Sequence, residues 1–261
     1  MNGGKAAALA DSHAHLDFKD FDEDRENVLE RAEKAGVQLI INVGFDMASS
    51  LRAVELAGKY SPIYAAVGIH PHEAARVPEG YLQKLEDMAK HPKVVAIGEI
   101  GLDFFRNRSP RPEQREVFQA QLALARRINL PVIIHDREAH DEIVETFEKE
   151  GLPEARGVIH CFSGDVALAK TLLDMGFYIS IAGPVTYKKN IVLGQVASMV
   201  PPGRLLVETD APFLPPHPLR GKRNEPAYVK YTAEKVAALR GRTLGYLGQQ
   251  CLENTRNLFR I

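Results

Sequence analysis

The chain has 261 residues, of which 45% are hydrophobic, and its formal net charge is −1. This length and apolar fraction suit one globular domain with a real core, and the near-zero charge argues against a broad basic surface that coats DNA. Two cysteines, Cys161 and Cys251, are too few for a disulfide framework or a zinc finger, so we expect reduced thiols. No apolar run approaches the roughly 18 residues of a membrane span, and no signal peptide is recognised, so we expect a cytoplasmic protein without membrane contact.

Short apolar runs recur along the chain, and each is followed by a segment with helical periodicity. The runs are nearly continuous in their hydrophobicity, which is typical of parallel strands that are covered on both faces. We predict eight strands, at residues 6–11, 37–43, 63–69, 94–97, 132–134, 158–159, 177–181 and 205–207.

The segment between the fourth and fifth runs shows the helical pattern. Four of its residues share one stripe of a helix, which is mainly apolar: Val117, Gln121, Leu124 and Ile128. Gly36, Gly176 and Pro131 come where helices should end before the next strand. The pattern therefore predicts helices that cover a parallel sheet.

The alternation of strands and helices predicts an α/β fold, a (β/α)8 TIM barrel, formed as a single domain over residues 1–261. An open doubly wound sheet gives the same local alternation and is the competing fold. The polar residues favour the barrel, because residues from the C-terminal ends of its strands converge on one mouth. Ionisable side chains follow most of the runs: His13 and His15, His70 and His72, Glu99, His135, His160, and Glu208 with Asp210.

The stretch DSHAHLDF holds two histidines that are separated by one residue. If the first strand continues, His13 and His15 point to the same side, because side chains alternate along a strand. Two imidazoles on one side form half of a metal site, although a surface pair or a satisfied core pair is a common alternative. With carboxylates and no thiolate, the residues after the strands suit one or two divalent ions such as Zn, Mn or Mg.

The chain resembles the TatD-type metal-dependent deoxyribonucleases of the amidohydrolase superfamily over nearly its whole length. The matching stretches occur in the family's order: DSHAHLD, GIHPHEA, GEIGLDFF, LPVIIHDREA, HCFSG, ETDAPFL and GKRNEP. The resemblance implies a barrel of the metal-dependent hydrolase type, a divalent-metal hydrolase that cleaves DNA, often from the 3′ end. Two other classes stay open, namely a hydrolase of small-molecule or aminoacyl esters or amides, and a non-catalytic metal-binding module.

The resemblance also implies two metal ions. The first has the ligands His13, His15, Glu99 and Asp210, and the second has the ligands Glu99, His135 and His160. Glu99 stands where many amidohydrolases use a carboxylated lysine, which favours the TatD branch. Asp210 is expected to orient the attacking water and accept its proton, so Asp210 and Glu99 are the predicted catalytic residues. Glu208 is expected to fix a histidine ligand from outside the metal site.

Substrate contacts are predicted for three residues near the strand ends. Arg137 and Arg223 could each donate paired hydrogen bonds to phosphate oxygens, and His70 directly follows the third run. We expect the partner to be a DNA end, preferably single-stranded, because the near-neutral charge offers no extended track and a barrel mouth admits an end more easily than a rod. No obligate protein partner is predicted.

Overall fold

The structure is a computed structural model that describes residues 7–261. Eight parallel strands pair in the order of the sequence, each with the next, and form a nearly closed barrel. This confirms the predicted (β/α)8 barrel and rules out an open doubly wound order. The strands are β1 (Leu9–Ala14), β2 (Val37–Val43), β3 (Ile63–Val67), β4 (Val94–Asp103), β5 (Val132–Arg137), β6 (Gly157–Ile159), β7 (Tyr178–Ile181) and β8 (Leu205–Val207).

Nine α-helices are present among the described residues. They are α1 (Arg25–Lys34), α2 (Met47–Lys59), α3 (Tyr81–Met88), α4 (Arg111–Ile128), α5 (His140–Glu150), α6 (Val166–Asp174), α7 (Ile191–Met199), α8 (Val229–Leu239) and α9 (Leu244–Phe259). Side chains cap the N-termini of α2 and α6, where Asp46 accepts from Ser49 N and Asp165 accepts from Leu168 N. None of the described helices is both long enough and apolar enough to cross a membrane.

The helix ends match the sequence signals. Gly36 and Gly176 have φ values of 94° and 92°, in the left-handed region that glycine tolerates, and each comes just before a strand. Asn129 ends α4 with a φ of 50°, and Pro131 follows it. These stops let the chain turn back to the sheet within a few residues.

Three strands differ from their predicted bounds by three residues or more, while β3 ends two residues earlier than predicted and the first residues of β6 and β7 are each displaced by one. β1 begins at Leu9 and continues to Ala14, and the predicted start at Ala6 lies outside the described residues. β4 continues through polar residues to Asp103, and β5 continues to Arg137. The apolar runs end where the side chains begin to face the polar barrel mouth, but the backbone ladder does not end there. Polar residues that were expected after strands therefore lie within them.

Hydrogen bonds between the first and last strands close the barrel. Asp210 N donates to the carbonyl of His13 at 2.9 Å, and His15 N donates to the carbonyl of Ala211 at 2.7 Å. Beside them, the buried carboxylate of Asp11 accepts from the backbone and the hydroxyl of Thr209, at 2.8 and 2.5 Å. This seam places the two histidines of the first strand next to the residues that follow β8.

Successive residues of the strands pack on opposite faces of the barrel wall. On β2, Ile40 belongs to the large apolar cluster that includes helix residues, while Ile41 packs in a second cluster with Ile133, Leu206 and Phe259. Both layers are buried. With apolar packing on both faces of the wall, polar chemistry is left to the C-terminal ends of the strands.

Candidate metal centre

The barrel mouth collects all six side chains that were predicted as metal ligands. His13 is on β1, Glu99 is on β4 and His135 is on β5, while the others come just after a strand: His15, His160 and Asp210. Glu99 lies at an irregularity in the pairing of β4 with β5, between Ile97 and Ile100, where the register shifts. The parallel barrel brings residues that are far apart in sequence to one place, as the sequence predicted.

One oxygen of Glu99 faces the first group of ligands. Its Oε2 lies 3.4 Å from His13 Nε2 and 3.7 Å from His15 Nε2. Asp210 Oδ1 completes the group at 3.9 Å from His13 Nε2 and 3.5 Å from His15 Nε2. The two imidazole nitrogens are 3.2 Å apart, which confirms that the pair points to one side. Four donor atoms thus surround one small volume.

The other oxygen of Glu99 faces a second group. Its Oε1 lies 2.7 Å from His135 Nδ1 and 2.7 Å from His160 Nε2. These two imidazole nitrogens are 3.4 Å apart. His70 Nε2 is also near, at 3.4 Å from the same oxygen. Glu99 therefore divides its oxygens between two sets of imidazoles, and His70, which was predicted as a substrate contact, lies within the second set.

Three of the imidazoles have an oxygen acceptor on the side that faces away from Glu99. His15 Nδ1 is 2.7 Å from the carbonyl of Val43, and His160 Nδ1 is 3.3 Å from Glu208 Oε1. His135 Nε2 is 3.3 Å from Asp103 Oδ2. An N–H that donates to each of these oxygens leaves the lone pair of the inner nitrogen directed at the centre. This arrangement fits a divalent cation, because neutral imidazole binds metals through that lone pair.

Burial and charge act against each other at the carboxylates. Burial alone would raise the pKa of Glu99, but the surrounding imidazoles, above all His160 and His70, hold it well below its usual value. Burial would also raise the pKa of Asp210, but the hydrogen bond with His15 and the nearby His13 lower it. Both groups are ionised at neutral pH, as ligands of a cation must be.

The pKa values of the histidines shift in both directions, although all of these rings lie near carboxylates. Burial and the neighbouring His160 lower the pKa of His13, and burial lowers the pKa of His70 to about 4. Burial would also lower the pKa of His160, but Glu99 and Glu208 raise it well above its usual value. Burial would lower the pKa of His15 and of His135 too, but Asp210 raises the first and Asp103 raises the second. A bound divalent cation would compete with protons for these imidazoles.

Asp103 and His72 belong to the site although the sequence analysis assigned them no role. Asp103 is buried, and its Oδ2 accepts from His72 Nε2 at 2.7 Å as well as facing His135. Burial would raise the pKa of Asp103, but the two imidazoles lower it. Its place in GEIGLDFF, four residues after Glu99 on one strand, was the available signal. That signal was hidden because the strand was predicted to end at residue 97.

The predicted outer partner and the two predicted arginines lie in different settings. Glu208 is buried and accepts from Cys161 N at 2.7 Å in addition to facing His160. Arg137 is exposed at the mouth end of β5. Arg223 instead grips Asp24 with both terminal nitrogens, at 2.9 and 2.7 Å, and packs over Phe21. The guanidinium of Arg223 is thus committed to an ion pair, and its contact with substrate stays a prediction.

Comparison with known proteins identifies the family of this chain. The family model described as TatD related DNase matches residues 10–260. The chain belongs to the TatD family of metal-dependent hydrolases. It is 46% identical to the uncharacterized metal-dependent hydrolase YabD of Bacillus subtilis, over 97% of this chain and 99% of that protein. It is 37% identical to the 3′-5′ ssDNA/RNA exonuclease TatD of Klebsiella pneumoniae, over 97% and 98%.

The fold comparison agrees with the sequence comparison. The TatD homolog YjjV of Escherichia coli superposes with a TM-score of 0.90 at 35% identity, covering 97% of this chain and 98% of that one. An uncharacterized amidohydrolase of Saccharomyces cerevisiae shares the fold, with a TM-score of 0.81 at 21% identity over 97% and 100%. The predicted family and enzyme class, a metal-dependent hydrolase, are therefore confirmed.

Proposed function

We propose that this TatD-family hydrolase removes nucleotides from the 3′ end of single-stranded DNA and that it uses two divalent ions. The observation that carries the proposal is the division of Glu99 between two sets of imidazoles, because two ions that share a carboxylate are a recurring feature of phosphodiester hydrolysis. The name of the Klebsiella relative, a 3′-5′ ssDNA/RNA exonuclease, supports the choice of substrate.

The proposed ligand sets follow the two oxygens of Glu99. His13, His15 and Asp210 would hold one ion with Oε2, while His135 and His160 would hold the other with Oε1. Ions bound there would acidify an attacking water and offset the negative charge that builds on the phosphoryl oxygens. A donor set of four imidazoles and two carboxylates suits Zn or Mn better than Mg, which prefers oxygen ligands.

The protein's own residues would orient the reaction. Asp210 sits at the edge of the cluster with its Oδ1 towards the histidines, and its ionised carboxylate can accept the proton of the attacking water. Glu208 and Asp103 hold the rings of His160 and His135 from behind. Arg137 would bind a phosphate of the strand at the rim of the mouth.

The test is an assay on end-labelled DNA, run beside a panel of carboxylic esters after chelation and re-addition of Mn, Zn or Mg. We expect 3′-labelled single strands to release labelled mononucleotides at once, while 5′-labelled strands shorten gradually. Closed circular duplex should stay intact. Rapid cleavage of the circle, or turnover of esters with no cleavage of DNA, would show that the proposed substrate is wrong.

A further inference from the structure

An aromatic ring flanked by two arginines stands at the rim of the barrel mouth. The side chain of Phe105 is 52% exposed, although a large apolar group gains stability by burial. The guanidinium carbon of Arg137 lies 4.2 Å from the centre of the Phe105 ring, and that of Arg106 lies 5.8 Å from it. We call Phe105, Arg106 and Arg137 the rim platform.

The rim platform is joined directly to the second half of the metal centre. Arg137 is two residues beyond His135 on β5 and so projects from the same face of the strand. Its carbonyl accepts from Phe104 N at 2.9 Å, and Arg106 N donates to Asp103 Oδ1 at 2.7 Å. The residues that position His135 therefore also position the platform.

The two guanidinium groups of the platform form no ion pair within the part of the chain that the structure describes. Neither Arg106 nor Arg137 makes an ion pair or a side-chain hydrogen bond with any other residue in the range 7–261. By contrast, Arg115 on the neighbouring helix α4 pairs with Glu142 through two bonds of 2.6 and 2.7 Å. The platform thus concentrates unpaired positive charge at the mouth of a chain whose formal net charge is −1.

A buried glutamine holds the loop that carries the platform. The Gln114 amide nitrogen donates to the carbonyl of Ser109 at 2.7 Å and to that of Asp103 at 3.2 Å, while its oxygen accepts from Asp103 N at 2.9 Å. Ser109 Oγ in turn donates to the carbonyl of His72 at 2.8 Å. An exposed ring on a loop that is tied down at both ends is preorganised for binding.

We propose that the rim platform binds single-stranded nucleic acid, with one base stacked on Phe105 and the adjoining phosphates contacted by Arg106 and Arg137. The ring supplies the stacking surface that a base needs, and the two unpaired cations supply the charge that the backbone needs. The identity of the strand as the substrate rests on the proposed function, whereas the binding itself does not require metal or turnover.

The experiment measures binding by the full-length, metal-free protein with fluorescence anisotropy. The probes are a labelled oligothymidylate and an abasic strand of the same length and charge. The parent should bind the oligothymidylate about tenfold more tightly than the abasic strand, the scale of one stacked base. Phe105→Ala should lose that preference and leave abasic binding unchanged, while Phe105→Trp should keep it. Arg106→Gln and Arg137→Gln should each weaken the binding of both strands. Each should also lower the slope of log affinity against log salt by about 0.7.

The opposite end of the barrel offers matched controls. Tyr246 is 51% exposed, Arg242 lies 5.3 Å from the centre of its ring, and both line a hollow with Leu205, the first residue of β8. Tyr246→Ala and Arg242→Gln should bind both strands as the parent does. Circular dichroism on every variant checks that the fold is retained.

The proposal is overturned if Phe105→Ala keeps the preference for the base-bearing strand, or if the control variants lose as much affinity as the platform variants. Cleavage assays separate this outcome from failure of the proposed function. If the parent cleaves DNA normally but Phe105→Ala binds both strands as the parent does, only the rim platform proposal is wrong. If binding depends on Phe105 but the parent does not cleave DNA, only the proposed reaction is wrong.

Discussion

At the scale of single residues, the chemistry of this barrel depends on Glu99. A buried carboxylate is costly unless it is paired, and here both oxygens face imidazole nitrogens at 2.7 to 3.7 Å. The histidines need the same partner, because among residues 7–261 the only other carboxylate that faces their inner nitrogens is that of Asp210. Each group is stable in its place because the others are present, so replacing Glu99 would disturb both halves of the centre together.

Asp210 allows proton transfer to be separated from metal binding. We expect Asp210→Asn to lower kcat by about 10²- to 10⁴-fold, the usual loss for a positioned general base, with most metal retained. Asparagine keeps the shape and one coordinating oxygen, and it tolerates the left-handed backbone of this position, where φ is 58°. The measurement is steady-state kinetics at equal metal occupancy. Activity within a few-fold of the parent would mean that another group acts as the general base, and Glu208 would be the first to examine.

At the scale of elements, the C-terminal ends of the parallel strands lie together at one rim of the barrel. The seam between β1 and the segment after β8 has a special place, because His13, His15 and Asp210 belong to its two sides. Thr209 fastens this seam through its hydroxyl, which donates to Asp11 at 2.5 Å and accepts from Ala211 N at 3.1 Å. A substitution that weakens this seam should therefore lower the free energy of unfolding and disturb the proposed first metal site.

Thr209→Val tests the seam. The valine keeps the volume but leaves the buried Asp11 carboxylate without the hydroxyl, so we expect a loss of about 1–3 kcal/mol in the free energy of unfolding. Thermal and urea unfolding of the metal-free protein measure this change. Thr171→Val is the control, because that threonine is exposed on α6, and among the described residues its hydroxyl bonds only to the carbonyl of Ala167. Equal stability of the two variants would mean that the seam does not depend on the Thr209 hydroxyl.

At the scale of the whole molecule, the metal centre joins strands from around the barrel. The residues proposed as its ligands come from β1, β4, β5, the end of β6 and the segment after β8. An ion that binds only the folded chain stabilises it by mass action, about 2.7 kcal/mol at a concentration of 100 Kd. Metal content and global stability should therefore change together.

Metal removal should be visible in both quantities. We expect about two ions per chain in the parent, and a Tm roughly 5–10 °C lower after chelation than in saturating Mn. His135→Ala and His160→Ala should each reduce the metal content and the size of this shift. His91→Ala is the control, because that residue precedes β4 at the other end of the barrel, and within residues 7–261 its ring accepts only from Lys93 N. Unchanged metal content in both His135→Ala and His160→Ala would contradict the two-ion arrangement.

The sequence by itself determined the alternation of strands and helices, because apolar runs and helix stops such as Gly36 and Asn129 are local signals. It also marked the polar residues near the strand ends, because a parallel barrel converts that position into convergence. The bounds of β2 and β8 were predicted correctly, since their apolar runs coincide with the whole strand.

Only the tertiary structure determined which partners those residues contact. The extension of β4 to Asp103 depends on pairing with β5, which the hydrophobicity of residues 98–103 does not report. His70 and Asp103 join the centre through contacts with Glu99, His72 and His135 that come from other strands and loops. Arg223 is drawn away to Asp24 by a contact 199 residues distant in sequence. Side-chain partners at such separations are set by packing, and packing has no local pattern in the sequence.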